Sequence, residues 1–350
     1  MDGSIFSILM LDAITSGAVY ALLALALVIV FSVTRVIYIP QGEWVAFGAL
    51  TLAAIQTGAF PQTATLLLAL ALCAFVQQAW SSVRAGAANL PAVLAVAFAK
   101  FIFFPIIVFA VAKWTAPNTW PMLAQIGLTL AIVAPMGPII YRLAFQPLAQ
   151  TSTLLLLIVA VAVHFAFTGL GLVMFGAEGS RTTAFSDTVF EFGAVTISAQ
   201  SLVIIGVALT LILALYLYFG RTLSGKALRA TAVNRRGAQL VGIGTQEAGR
   251  RAFALASTLG ALCGVLIAPL TTVYYDSGFL IGLKGFVGAI FGGLGSYPVA
   301  AAGAVLVGLL ESFSSYWASA FKEVIVFTLI IPVLLWRSLT TATPDDDGEH

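Results

Sequence analysis

A chain of 350 residues that is 61% hydrophobic and 9% charged, with a mean hydropathy of +1.06, is far from a soluble domain, which is about half apolar and about one quarter charged. The composition leaves no room for a large soluble domain and specifies an all-α polytopic transmembrane bundle; at roughly 20 mostly apolar residues per span, the length accommodates about eight to eleven membrane segments. The formal net charge of +2 is close to neutral, and with so little of the chain in water no nucleic-acid partner is expected.

The first segment has no Lys or Arg before Arg35; it lacks the basic region of a signal peptide and reads as the first membrane helix. Apolar runs separated by polar or Pro/Gly breaks place helices near 10–34, 43–58, 62–81, 90–112, 121–141, 153–175, 198–219, 251–269, 282–294, 298–317 and 322–337. Two of these, 43–58 and 282–294, are short for a full span and are open to being tilted, broken or re-entrant, since non-helical backbone at membrane depth is tolerated where protein or a water-filled cavity covers it. Residues 1–337 form the membrane domain, and the acidic residues 338–350 read as a disordered tail.

Cytoplasmic loops carry the excess of Lys and Arg. Arg35, Arg84, Arg142, Arg337 and the basic loop after residue 219 fall on one side of this map, and Lys113, Arg181 and Lys322 on the other. The N-terminus is therefore expected outside and the C-terminus in the cytoplasm.

That loop, residues 220–250, concentrates the charge. From Arg221 to Arg251, seven basic residues, Arg221, Lys226, Arg229, Arg235, Arg236, Arg250 and Arg251, stand against the single acid Glu247, a net +6. Ala227, Ala230 and Val233 are spaced three apart, Asn234–Gly237 makes a turn, and a second short helical turn ends at Gly242. A topological anchor would need the charge alone. A helical hairpin rich in Ala and Gly lets another protein's backbone come close, which favours a docking element.

Ionisable side chains inside a membrane cost roughly 2.5 to 3.5 kcal/mol at a helix centre, so the few present are candidates for function: Glu43, Lys284 and Glu311, with Asp12 and Lys100 nearer helix ends. At Gln41, Gly42 and Glu43, Pro40 can open a helix while the polar groups face a water-filled path; alternatively, Glu43 caps the helix N-terminus with its charge. Glu311 is expected to face the bundle interior, paired with a basic or hydroxyl group. His164 is expected to hydrogen-bond to a neighbouring helix. Gly260/Gly264 and Gly288/Gly292 are GxxxG pairs, and Gly292, Gly293, Gly295 and Ser296 break the helix before Pro298, for packing or for a translocation path at membrane depth. Cys73 and Cys263 lie in apolar runs and read as small buried hydrophobes. The sequence holds no phosphate-cradling G-x-x-x-x-G-K-[S/T] loop, no Cys/His metal cluster and no G-x-S-x-G elbow, so no catalytic centre, metal or cofactor is expected in this chain.

The segments "GKALRATAVNRRGAQLVGI", "FALASTLGALCGVLIAPL" and "GLKGFVGAIFGGLGSYPVAAAGAVLVGLLES", a last span ending in "LLWR", and the early "SGAVYALLALALVIVFSVTRVIYIPQGEWVAFGAL" occur in that order. As an ordered set covering roughly three quarters of the chain, they resemble the H-type permease of branched-chain amino acid ABC importers. That family also includes urea and short-chain amide permeases. The resemblance implies a bacterial inner-membrane subunit paired with an M-type permease, seated on two ATPase subunits that bind the ATP and Mg, and supplied with a small-molecule substrate by an extracytoplasmic binding protein. It implies that residues 220–250 couple to the ATPase through Gly225, Arg229, Ala230, Ala238, Gly242 and Ile243. It raises the break at Gly292, Gly293, Gly295 and Ser296, which with Gln41, Gly42, Glu43 and Glu311 makes the candidate translocation pathway; the outside loop 176–200, with Glu178, Arg181, Asp187 and Glu191, reads from the sequence as an ordinary solvated loop, with receipt of the binding protein as the alternative.

The chain departs from the family pattern twice. Tyr38 to Glu43 replace the common Asn-Phe-Ala-His-Gly followed by Asp or Glu, and the stretch from Gln78 to Trp120 is longer by roughly a pair of helices. A urea, short-chain amide or small carboxylate cargo is the alternative within this class. An ion-coupled secondary transporter would need inverted repeats and paired acidic residues at mid-membrane, which the sequence does not display.

Overall fold

The computed structural model describes residues 3–86, 89–186, 188–192 and 195–340. The acidic end from 341 onward, with most of the expected tail, and Asp187 lie outside the described residues. Among the described residues, nine helices are long and apolar enough to cross a membrane, at the lower end of the range that length allows.

In chain order they begin with α1 (Gly3–Thr34), the half-length α2 (Glu43–Gln56), α3 (Gln62–Arg84), α4 (Leu90–Trp114), α5 (Met122–Leu148) and α6 (Thr153–Phe175). A short antiparallel hairpin, β1 (Val189–Phe192) and β2 (Val195–Ser198), lies in the loop that follows. Next come α7 (Ala199–Arg221), the loop helices α8 (Leu223–Val233) and α9 (Arg235–Leu240), α10 (Thr245–Ile267), the half-length α11 (Ser277–Phe291), α12 (Tyr297–Trp317) and α13 (Ser319–Trp336).

The apolar first helix is the centre of the bundle. α1 packs against α7, α10, α11 and α12, and nearly every residue from Val19 to Val30 is buried. The outer helices α3, α4, α6 and α7 instead expose large apolar side chains, among them Val76, Val96, Phe165 and Leu209, as helices that face lipid on one side must. Cys73 is on that exposed side of α3, whereas Cys263 is buried. An apolar run in a membrane protein ends as readily against lipid as in the core, so the expectation of burial fails for Cys73.

Prolines inside two spans are accommodated locally. Pro105 in α4 follows a π-helical turn at Ala99–Phe103, which absorbs the missing backbone donor. In α5, the Ala134 carbonyl, four residues before Pro138, accepts from Ser257 Oγ of α10 at 2.7 Å.

Both short helices are half-spans that start inside the bundle. α1 ends at Arg35, whose φ of 62° is the left-handed conformation of a helix C-cap. From there the chain runs in non-helical form through Tyr38, makes a 3-10 turn at Ile39–Gly42 and only then begins α2. This irregular backbone is covered by protein: Val36, Tyr38, Gln41 and Gly42 are all buried. The second half-span, α11, has its N-terminus against the same break. A β-carbon on Gly42 would stand 1.9 Å from the Gly278 carbonyl oxygen, so only glycine allows the two half-helices to meet. The Gly260/Gly264 pair does the same for α2 on α10, where a β-carbon on Gly264 would reach 2.0 Å from the Val45 carbonyl oxygen; both GxxxG pairs are packing contacts.

Candidate functional site

The break between α1 and α2 lies at mid-height. Glu43, the first residue of α2, is fully buried, and its Oε1 is 2.8 Å from Nδ1 of His164. His164 is the middle residue of α6, 11 residues from each end of Thr153–Phe175. Glu43 therefore stands in the first turn of a half-helix, where the helix dipole favours its negative charge as the capping reading expects, and it pairs with a side chain at mid-span. Gln41, two residues earlier, donates from Nε2 to the Ala256 carbonyl of α10 at 2.9 Å. Glu43 Oε2 and Gln41 Oε1 have no hydrogen-bond partner among the described residues. Around them stand the rings of Trp44, Phe47 and Phe167, with Phe279 centred 4.7 Å from the His164 ring.

A cavity of about 1100 Å³ opens below this level, lined by Thr34, Arg35, Arg142, Leu156, Arg235 and Arg236 among others. It is therefore at the end of the bundle that carries the basic loop. Leu156, Ala160 and His164 form one buried face of α6, which leads from the cavity to the Glu43 pair. Tyr38, packed edge-on against Phe145 and Phe253 with ring centres 5.8 and 4.7 Å away, closes the space between.

A second polar cluster lies between α1, α11, α12 and α13. Lys284 Nζ donates to Glu311 Oε1 at 2.5 Å and to Glu323 Oε1 at 3.2 Å, and Tyr20 OH donates to Glu311 Oε2 at 2.6 Å. Glu311 thus faces the interior and pairs with both a basic and a hydroxyl group. Its partners are in the core of the α1–α12 packing, which makes this cluster a structural bracket. Ser312 ties Asp12 to the same bracket at 3.1 Å.

The basic loop is a helix-turn-helix. Thr222 accepts from the Gly225 N–H and Asn234 from the Gly237 N–H, capping α8 and α9 in turn. Gly242, at φ 83°, ends α9, with the Ile243 N–H donating to the Ala238 carbonyl. The hairpin is fixed to the bundle: a β-carbon on Gly225 would meet the Tyr218 carbonyl oxygen of α7 at 2.2 Å, Arg251 of α10 reaches Ser224 at 2.7 Å, and Arg235 donates to the Ala149 carbonyl at 3.0 Å. Arg229, Ala230 and Ala238 line a shallow groove of about 490 Å³ between α8 and α9. Leu223, Val233, Leu240 and Val241 are 86%, 85%, 88% and 75% exposed on this basic hairpin.

The Gly292, Gly293, Gly295 and Ser296 segment is a tight turn at the basic end, with Gly293 and Leu294 at positive φ. Gly293 and Gly295 line a pocket with Arg35 and Arg229. It is not a break at membrane depth: α11 starts earlier than the apolar run implies, at Ser277, so its C-terminal end has already reached the basic end by residue 291.

On the opposite end, Arg181 donates to the Pro269 and Leu270 carbonyls, both at 2.8 Å, and Ser180 bridges to Val273, so the loop after α6 is held against the bundle. Among the described residues no group of three His, Cys, Asp or Glu side chains is placed to hold a metal.

The pairing of His164 with Glu43, and the part of Glu323 in the Lys284 bracket, were missed from sequence. The partners of the first pair are 121 residues apart. Only their character pointed to them, one an ionisable group opening a short apolar helix and the other lying in the middle of an apolar run.

A family model described as "Branched-chain amino acid transport system / permease component" matches residues 9–334. The high-affinity branched-chain amino acid transport system permease protein BraD of Pseudomonas aeruginosa is 29% identical over 223 residues, which cover 62% of this chain and 73% of that protein. LivH of Escherichia coli strain K12, a permease protein of the same description, is 30% identical over 216 residues, 59% of this chain and 69% of its own. A probable LivH of Methanocaldococcus jannaschii is 25% identical over 228 residues, 64% and 71% of the two chains. No solved structure gives a significant match.

Proposed function

The chain belongs to the permease-component family of branched-chain amino acid transport systems, and on that premise we propose that it is the H-type membrane subunit of an ATP-driven importer that carries a branched-chain amino acid across the bacterial inner membrane. Its partners in this reading are an M-type permease, two ATPase subunits and an extracytoplasmic binding protein. ATP and Mg are bound by the ATPase subunits, and this chain performs transport without hydrolysing nucleotide. The basic end faces the cytoplasm, in keeping with the positive-inside rule, and the N-terminus is outside.

The observation that carries the reading is the basic hairpin. Four aliphatic side chains, Leu223, Val233, Leu240 and Val241, stand exposed among basic residues on a hairpin anchored to α7 and α10. Water-facing aliphatics on a rigid charged element mark a protein interface. A push on this hairpin passes directly into the membrane helices that flank the cavity, which is the mechanical requirement for switching access from one side to the other.

The pathway in this reading runs from the outside to the Gln41–Glu43 break and leaves through the arginine-lined cavity. The turn containing Gly292, Gly293, Gly295 and Ser296 is assigned to coupling, beside Arg229, and Glu311 to the structural bracket. The test is site-directed cross-linking: cysteine at Leu240 or Val233 should form ATP-sensitive cross-links to a co-purifying ATPase subunit. Cross-links from Trp114, at the opposite end, with none from Leu240 or Val233, would refute the docking assignment.

A further inference from the structure

The break between α1 and α2 holds two hydrogen-bond acceptors that nothing among the described residues satisfies. Glu43 is 0% and Gln41 1% exposed, and in each the second polar atom is engaged: Glu43 Oε1 with His164, and Gln41 Nε2 with the Ala256 carbonyl. The remaining oxygens, Glu43 Oε2 and Gln41 Oε1, have no donor among the described residues. A buried acceptor without a donor costs about 1–3 kcal/mol, more when charged, so a site that keeps two of them two residues apart, at mid-membrane, is suited to a ligand that brings donors.

The chemistry of that ligand follows from the atoms. Both of these orphans are acceptors, one of them on a carboxyl group; at the same break the Tyr38 hydroxyl and the Trp44 Nε1–H also lack a hydrogen-bond partner among the described residues. A carboxylate or phosphate placed against Glu43 Oε2 would face the charge of that carboxyl group. A primary ammonium offers three N–H donors and a positive charge, and forms the charge-assisted hydrogen bonds that are the stronger kind. Trp44, Phe47 and Phe167 add apolar surface beside it.

We infer that Glu43 and Gln41 form an ammonium-recognition subsite at the helix break, with His164 as the positioning residue that holds the Glu43 carboxyl group. The inference rests on the importer reading and deepens it: the subsite takes the α-ammonium of the amino acid cargo. Full burial of Glu43 means that the present state is closed over the subsite. Cargo reaches it when α6, which carries His164, parts from α2.

The test uses the assembled complex, without binding protein, and radiolabelled leucine. Competitors are 4-methyl-2-oxopentanoate, which keeps the branched chain and carboxylate but has no ammonium, and 3-methylbutylamine, which keeps the ammonium and has no carboxylate. The amine is expected to displace leucine, and the oxo acid to do so at least tenfold less well. Glu43→Gln and, separately, Gln41→Leu should each weaken leucine binding at least tenfold and reduce the preference for the amine, in complexes that still assemble. His164→Asn, which retains a donor, should weaken binding less than His164→Leu. ATP-dependent leucine uptake by the wild-type complex in proteoliposomes, with its binding protein, is measured alongside. If uptake is absent, the importer reading itself fails. If uptake is present but the oxo acid competes as well as the amine, if both assembled variants keep the preference, or if the complex binds no leucine, the ammonium subsite is overturned while the importer reading stands.

Discussion

Lys284 is almost completely buried, yet it meets two carboxyl groups, Glu311 and Glu323, and Glu311 also accepts from Tyr20. Losing one partner from a buried ion pair leaves an uncompensated charge and typically costs about 3–5 kcal/mol. Lys284→Met should accordingly lower the thermal midpoint of the detergent-solubilised protein markedly. Adding Glu311→Gln should restore part of the loss, because it removes one of the stranded charges. If the double variant is as unstable as the two single losses added together, the bracket is not a coupled unit. The contrast with Glu43 is instructive at this scale. Glu311 has a partner for each carboxyl oxygen, whereas Glu43 keeps one oxygen free; the first arrangement holds helices together and the second waits for a ligand.

Among the elements, the two half-helices and the basic hairpin matter most. α2 and α11 meet in backbone contact at Gly42 and Gly278, and α2 continues along α10 through Gly264. Gly264→Leu would drive a side chain into the Val45 carbonyl, and the expected result is failure of the protein to accumulate in membranes, read by immunoblot of the membrane fraction. Normal accumulation would mean that α2 packs elsewhere. On the hairpin the expected effect is different in kind. Arg229→Glu or Leu240→Asp alters an exposed side chain, so membrane abundance should stay unchanged while ATP-dependent uptake falls at least tenfold. Uptake that persists in both variants would argue that the hairpin does not bear the coupling.

The hairpin was also the element most legible in the sequence. Its spacing, its Asn234 turn and the Gly242 stop are local features, and local capping geometry decides them. The half-helices were legible only as short runs: composition could register that 43–58 and 282–294 were too short, but where each began depended on tertiary cover. Ser277 starts α11 five residues before its apolar run suggests, because the loop after α10 is held by Arg181 and Ser180. That shift moved the Gly292–Ser296 turn from membrane depth to the basic end.

For the whole molecule, the segment count and the all-helical class follow from hydropathy, which is why they could be read directly. The exception is the small β1–β2 hairpin in the loop between α6 and α7, too short to leave a periodic signal. Helix neighbours could not be read, since every span offers lipid and protein similar apolar surfaces. The long stretch from Gln78 to Trp120 contains the end of α3 and the whole of α4; α4 packs on α3 at the periphery, while the end of α3 reaches the proposed route, where Ser81 lines the arginine-lined cavity.

The account as a whole claims that a cytoplasmic ATPase drives these helices through the hairpin. The most direct test is to purify the tagged chain from its native membranes in mild detergent, identify what accompanies it, and assay leucine uptake after reconstitution. Two ATPase chains and a second permease should co-purify, with uptake that requires ATP and the binding protein. Recovery of this chain alone, active in liposomes on an ion gradient without ATP, would contradict the account.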